Sequence, residues 1–375
     1  MARITVLGGG FAAVAAVGAL RRADPGHEVT LVAPRDRFLF APSLIWLPTG
    51  LRDAAAITRP LEPFVHRHGA AFVQATVTGL EDGGRTVLTD GGIVENDALV
   101  IATGGRFLQA LPGSEHALTL CAGTDSAGAM GDRLADLEGG TIAFGFSANP
   151  KEPQAVRGGP MFELLFGIDT HLRRQRRRRD FRLVFFSPAA RPGARLGEKA
   201  VDRLLARMER HGVETHLGHK LLRFDERQVV TEGGAIPAEM ILFMPGMTGP
   251  AWAADAGLPL SEGGFIQADA HCAVPGWDNV WVAGDAGSYP GPGWMPKQAH
   301  MAELQARTAA RNAADALAGG AADARFRTEL VCIIDSLDRG ALVYRTEKRQ
   351  LMLPPMRALH WAKRAFERRY LRRFG

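Results

Sequence analysis

Cysteine is scarce in this chain. Its 375 residues carry three, Cys121, Cys272 and Cys332, far apart and with no CxxC pair, zinc spacing or disulfide framework. That usage fits a reducing compartment and excludes a fold built on disulfides or structural zinc. Long apolar runs are missing too: none approaches the ~18 residues that a bilayer-spanning helix requires. The N-terminus lacks the charged, then apolar, then small-residue pattern of a secretory leader, because residues 4–7 (Ile-Thr-Val-Leu) already read as a strand. Export by that route is not expected.

Over most of the chain there is also little excess charge of either sign. The net charge is +5, but residues 357–375 hold seven Lys/Arg and one Glu, so the remainder sums to −1. A second basic run, HLRRQRRRRD at 171–180, carries six arginines and one aspartate and reads as the continuation of a surface helix. Two local patches on a nearly neutral body suit contact with an anionic surface and argue against a nucleic-acid-binding protein. Glycine is plentiful, 44 residues clustered in short loops without a period, which excludes collagen-like and linker-like chains and leaves loops that hug something closely. Hydrophobic residues at 46% and charged residues at 23% are ordinary for a globular protein, and the length favours two domains.

The order of elements is α/β. Residues 4–7 form an apolar run entering Gly8-Gly9-Gly10-Phe11-Ala12-Ala13 and an alanine-rich helix, with a second strand over 28–32. Strand, glycine turn, helix, strand is a βαβ unit. Residues 98–102 read as a buried strand ending at Thr103-Gly104. A second unit starts with a strand at 141–145, followed by a helix over 160–178, a strand over 181–186, a helix over 198–211 and a strand over 240–244. A strand over 280–283 then ends at Gly284-Asp285, and a helix follows over 298–317. Residues 326–344 alternate like strands, and the last twenty read as a basic helix. The fold class is two Rossmann-like dinucleotide-binding domains with a small C-terminal segment. The first domain comprises residues 1–112 and 265–320, the second 113–264, and the tail 321–375.

Gly8-x-Gly10-x-x-Ala13 lies between strand and helix, the context that a dinucleotide turn requires. Gly8 permits the tight turn, Gly10 lets backbone approach a diphosphate, and Ala13 keeps helix and strand close. The acid usually found at the end of the second strand is missing. The chain there runs Ala33-Pro34-Arg35-Asp36, and Asp36 is either a ribose ligand or a solvated turn residue. With Ala102-Thr103-Gly104 and Gly284-Asp285 in order, these motifs resemble the two-dinucleotide-binding-domain flavoproteins of the glutathione-reductase-like, FAD/NAD(P)-binding fold. The resemblance implies FAD as cofactor, with Asp285 at its ribityl chain and the next helix facing the flavin.

Within that group, the run Asp36-Arg37-x-x-Phe40-x-Pro42-Ser43-x-x-Trp46, then Gly50, is similar to the sulfide:quinone oxidoreductases, as are Gly159-Pro160-x-x-Glu163, Pro296-Lys297 and Cys332 on a late strand. The resemblance implies two-electron transfer from sulfide, or a related sulfur compound, through FAD to membrane quinone. Cys332 would then be the flavin-proximal thiol. The cysteine such a family carries just before Gly-Pro is absent, because Val156-Arg157-Gly158 stands there, which leaves Cys121 as the candidate partner. Arg157 either holds an anionic substrate or is a solvated loop residue. Lys297 either adds charge near the flavin or is a surface lysine, and Glu163 either accepts a proton or caps a helix. The turn Gly145-Phe-Ser-Ala-Asn-Pro150 has one glycine, and Pro150 offers no N–H to a phosphate, which disfavours a nicotinamide cofactor and with it a type II NADH:quinone oxidoreductase. A third reading is a flavin-bearing electron-transfer or binding subunit without sulfide chemistry.

In the tail, Met356, Leu359, Phe366, Tyr370 and Phe374 fall on one side of a helix flanked by arginines, with Trp361 nearby. This pattern is expected to lie on an anionic membrane surface, on the cytoplasmic side, as a peripheral attachment. The sequence leaves homo-oligomerisation open.

Overall fold

The computed structural model describes residues 1–108 and 111–375. Strand β1 (Arg3–Leu7) runs into helix α1 (Phe11–Ala23) and strand β2 (Glu28–Ala33), joined by β3 (Ala71–Gln74) and β4 (Ala98–Ile101). The second unit contains β5 (Gly140–Phe146), α2 (Gly159–Arg174), β6 (Phe181–Ser187), α3 (Glu198–Arg210), β7 (Val213–Leu217) and β8 (Met240–Met244). The chain then returns to the first unit with β9 (Val280–Val282) and α4 (Ala299–Leu317). It ends in an antiparallel sheet of β10 (Glu329–Asp335), β11 (Gly340–Thr346) and β12 (Gln350–Met356), followed by helix α5 (Arg357–Leu371).

Two parallel sheets result. The first has the order β9-β4-β1-β2-β3 and the second β7-β6-β5-β8. Strands such as Ala98–Ile101 and Met240–Met244 are buried along their whole length, as parallel strands covered on both faces must be. Small side chains decide how closely the helices approach. Ala12, Ala13 and Ala16 of α1 are buried, as are Ala302, Ala306, Ala309, Ala310 and Ala313 of α4. A Cβ added to Gly284 would lie 3.1 Å from the Ala12 Cβ and 3.2 Å from the Ala302 Cβ. Both helices thus close over the end of the first sheet, and their N-termini open on one cleft.

Four features depart from the sequence reading. The helix expected over 160–178 stops at Arg174, where Arg176 turns to a φ of +62°. The 171–180 arginine run is partly structural: the Asp169 carboxylate, fully buried, accepts from Arg173 at 2.9 Å and Arg178 at 2.7 Å and meets His211 at 2.6 Å. Burial alone would raise the pKa of that carboxyl, yet these three partners hold it down at about 2. Strand β12 escapes the alternation pattern because it contains Pro354 and Pro355, which an edge strand tolerates. Finally, the tail helix splits its apolar side. Tyr370 and Phe374 are buried against Phe11, Phe38 and Phe64, whereas Trp361 and Phe366 remain exposed.

Candidate active site

A cavity of about 1490 Å³ lies where the C-terminal ends of both parallel sheets meet the last sheet and α5. Such crevices outside the carboxyl ends of parallel strands are where α/β proteins bind ligands. The β1–α1 turn forms one wall. Gly8 has a φ of +117°, and a Cβ there would lie 2.2 Å from the Ala102 carbonyl oxygen, so this position requires glycine. Gly10 is different: nothing stands within 4 Å of where its Cβ would be, because it faces the open cleft. Phe11 and Ala12 follow on the same wall, with no side-chain cap and no acid in the first turn of α1. The free N–H groups at that helix end suit an anion. Ala13 is fully buried behind them and serves helix packing.

The rest of that half of the cleft is made by Pro34, Arg35, Ala102, Thr103, Gly104, Gly284 and Asp285. Asp36 is not among them. Its side chain is exposed, and alternation along the extended segment turns Arg35 and Arg37 to the cleft and Asp36 away. Ser43 does not line the cleft either. It lies buried in the turn Ala41–Trp46, and its hydroxyl has no partner among the described residues. Among the unpaired buried groups that line the cleft are Thr103 Oγ1 and Gln298 Nε2. Orphaned polar atoms on a cavity wall mark ligand contacts, since leaving them unmade is costly.

The second half of the cleft is cationic. The Asp285 carboxylate accepts from the Arg157 guanidinium. Lys297 donates to the Gly287 carbonyl at 2.7 Å and lies 3.8 Å from the Phe265 ring centre. Burial pushes its ammonium down to about 8 against the pull of Asp285. Sequence reasoning passed over Arg195 and Arg345, which line the same wall.

The thiols separate clearly. Cys332, on β10 and paired in register with Val343, lines the cleft, and a Cβ on Gly159 would be 3.9 Å from its Sγ. Burial, with Glu163 adding to it, pushes its thiol up to about 12. Cys121 sits in the short turn Leu120–Ala122, outside the cleft lining, with its thiol raised to about 11 by burial and eased down by the Thr119 hydrogen bond and Arg157. Cys272 is a core residue whose Sγ lies 3.5 Å from the Gln305 carbonyl. All three are free.

Behind Cys332 lies a buried polar network that was only glimpsed in the sequence. Glu163 neither caps α2 nor faces solvent. It accepts from Lys363 of α5, and at 2.8 Å from the Asp335 N–H. Asp335 in turn accepts from Trp46 Nε1 at 2.9 Å and meets His360 at 2.7 Å. Burial raises the Glu163 carboxyl to about 7 although Lys363 pulls it down.

The chain belongs to the Pyridine nucleotide-disulphide oxidoreductase family, which matches residues 2–306. FAD is the cofactor, and the glycine turn, the open α1 N-terminus and the two orphaned groups fit it. The protein is therefore an FAD-dependent oxidoreductase. Among its relatives, the sulfide-quinone reductase of Aquifex aeolicus is 23% identical, over 98% of this chain and 90% of that protein. The type II NADH:quinone oxidoreductase of Mycobacterium tuberculosis is 26% identical, over 77% of this chain and 68% of that one. The solved structure of the Aquifex aeolicus sulfide:quinone oxidoreductase covers 99% of this chain and 91% of its own, with a TM-score of 0.90 at 22% identity, which establishes the shared fold.

Proposed function

We propose that this oxidoreductase takes two electrons from a small sulfur compound and delivers them to a membrane quinone. The observation that carries the reading is Cys332, a half-buried thiol on the cleft wall beside Gly159, backed by the Glu163–Lys363 pair. Bound FAD supplies two-electron redox chemistry in the cleft. The chain's own work is to prepare the thiol. At a pKa of about 12 Cys332 is protonated at neutral pH, so a nucleophilic role needs a proton acceptor. Glu163, its carboxyl raised to about 7, is the acceptor the network offers, and Lys363 holds the negative charge it carries before it takes the proton. Asp335 and Trp46 fix α5 so that Lys363 stays in reach. Cys121 has a lesser claim as a second thiol, because it lies off the cleft lining.

A nicotinamide donor is the competing reading, favoured by the Mycobacterium tuberculosis relative. Against it, β5 ends at Phe146 and no helix starts until Gly159. Gly145 accommodates the Phe186 ring, which would lie 2.3 Å from a Cβ there, so this glycine serves packing. Asn149 spends its amide on the Met247 and Gly263 carbonyls. No open helix N-terminus is left to face a diphosphate at that turn.

Among the described residues no helix is long and apolar enough to cross a membrane. Peripheral attachment through α5 is supported by Trp361 and Phe366, 55% and 57% exposed amid arginines. The deciding experiment is anaerobic: sulfide should bleach the flavin and a quinone analogue restore it, with NADH inert. Bleaching by NADH alone would replace this reading with the competing one.

A further inference from the structure

Arg195 carries a demand that neither the fold nor the network behind Cys332 meets. It stands on the short turn Ala194–Leu196, between β6 and α3, on the wall supplied by the second sheet. One nitrogen, Nη1, donates to the Val156 carbonyl at 3.0 Å, which ties the guanidinium to the segment leading through Arg157 to Gly159 and Cys332. Its own carbonyl accepts from Arg345 Nη1 at 2.8 Å, and Arg345 lies 4.7 Å from the Trp294 ring centre. The other nitrogen, Nη2, is buried and has no partner among the described residues. Burial pulls this guanidinium down to about 10, with Asp285 opposing, so it remains a cation at neutral pH.

A buried guanidinium with an unmade bond is costly unless an acceptor arrives. The nearby carboxylates are spoken for. Asp285 takes Arg157, and Glu152 accepts from Ser261 and Ser288 hydroxyls while lying outside the cleft lining. The cofactor's diphosphate belongs at the other wall, at the α1 N-terminus. The cavity also exceeds the ~300–1,000 Å³ usual for a single small-molecule site, which leaves room for a second ligand.

We propose that Arg195, with Arg157, forms a binding site for an oxyanion, the carboxylate or sulfur-oxyanion group of the substrate that reacts beside Cys332. This deepens the proposed sulfur chemistry and rests on it for the substrate's identity. Hydrosulfide can reach the thiol without this site, whereas a substrate that also bears a carboxylate or sulfonate offers Nη2 the oxygen acceptor it lacks. Arg157, where similar enzymes' resemblance led us to expect a cysteine, then acts as part of substrate recognition.

The test uses oxidised holoenzyme and redox-inert probes, sodium sulfate and sodium acetate, titrated at constant ionic strength with chloride. Saturable perturbation of the flavin absorption is expected, and the stronger of the two probes identifies the oxyanion type. Arg195→Gln should weaken it about tenfold or more at equal FAD content, and Arg195→Lys should recover part. A wild-type spectrum indifferent to both probes would overturn the proposal whatever the variants do. So would loss of FAD from Arg195→Lys, which would assign the guanidinium to the cofactor. The two readings fail separately. Sulfide bleaching without anion binding removes only the oxyanion site, and anion binding without sulfide bleaching removes only the sulfide donor.

Discussion

Cys332 and Glu163 act as one unit if the thiol does chemistry, so substituting them gives different signatures. Cys332→Ser keeps the volume and removes the nucleophile. It should retain FAD and abolish bleaching by sulfide, measured in an anaerobic stopped-flow experiment, and unchanged bleaching would take the thiol out of the reaction. Glu163→Gln keeps the shape and removes the titration. In the native protein activity should rise as pH passes through about 7, where the carboxyl loses its proton, and that limb should vanish in the variant. Stability moves the opposite way. A carboxyl whose pKa is raised on folding, from 4.5 to about 7, binds its proton more tightly in the native state. Its contribution is complete below 4.5 and is lost as pH rises to about 7. Urea midpoints across that window should therefore fall with pH in the native protein and flatten in Glu163→Gln. The sequence exposed Cys332 and the glycine turns because their chemistry needs particular residue types at particular spacings. Lys363, Asp335 and Arg195 were not legible, since a buried ion pair and a lone guanidinium depend on which elements meet, and no local pattern records that.

Helix α5 has two faces, one packed into the body and one exposed, and the sequence pattern did not tell them apart. Spacings of three, four and seven revealed an amphipathic helix, but such spacing gives no hint whether the apolar stripe meets lipid or protein. Tyr370 and Phe374 stack on Phe38 at 5.6 and 4.5 Å between ring centres and belong to the core. Glu367 binds Arg52 through two oxygens, as another inward anchor. Removing residues 357–375 would thus damage the body and could not report on a membrane role. Point changes separate the two faces. Trp361→Ser with Phe366→Ser should leave thermal stability within about 0.5 kcal/mol and cut binding to anionic liposomes severalfold in a sedimentation assay. Tyr370→Ala should cost about 3–5 kcal/mol by emptying an aromatic site, read from denaturant melts. Liposome binding that ignores Trp361 and Phe366 would leave α5 as a docked helix with a solvated basic face.

Across the whole molecule the cleft is the joint: the two parallel sheets, the last sheet and α5 each contribute a wall, and charges that pack badly on their own converge there. Arg195 Nη2, Thr103 Oγ1 and Gln298 Nε2 are buried without partners among the described residues. The cofactor and substrate sites should accordingly hold a substantial part of the stability of the loaded protein. At free FAD a hundredfold above Kd, binding adds about 2.7 kcal/mol by mass action alone. Gly10→Ala isolates this term, whereas Gly8→Ala would not. A Cβ on Gly8 would run into the Ala102 carbonyl and harm the fold itself, but one on Gly10 meets nothing and would point only at the space for the diphosphate. The apo forms of Gly10→Ala and the native protein should therefore melt together, while the rise in Tm on adding FAD shrinks in the variant as its Kd weakens about tenfold, worth about 1.4 kcal/mol. Equal FAD-induced shifts in the two proteins would mean that the diphosphate rests elsewhere than on the β1–α1 turn. A lower apo Tm in the variant would show instead that Gly10 serves the fold.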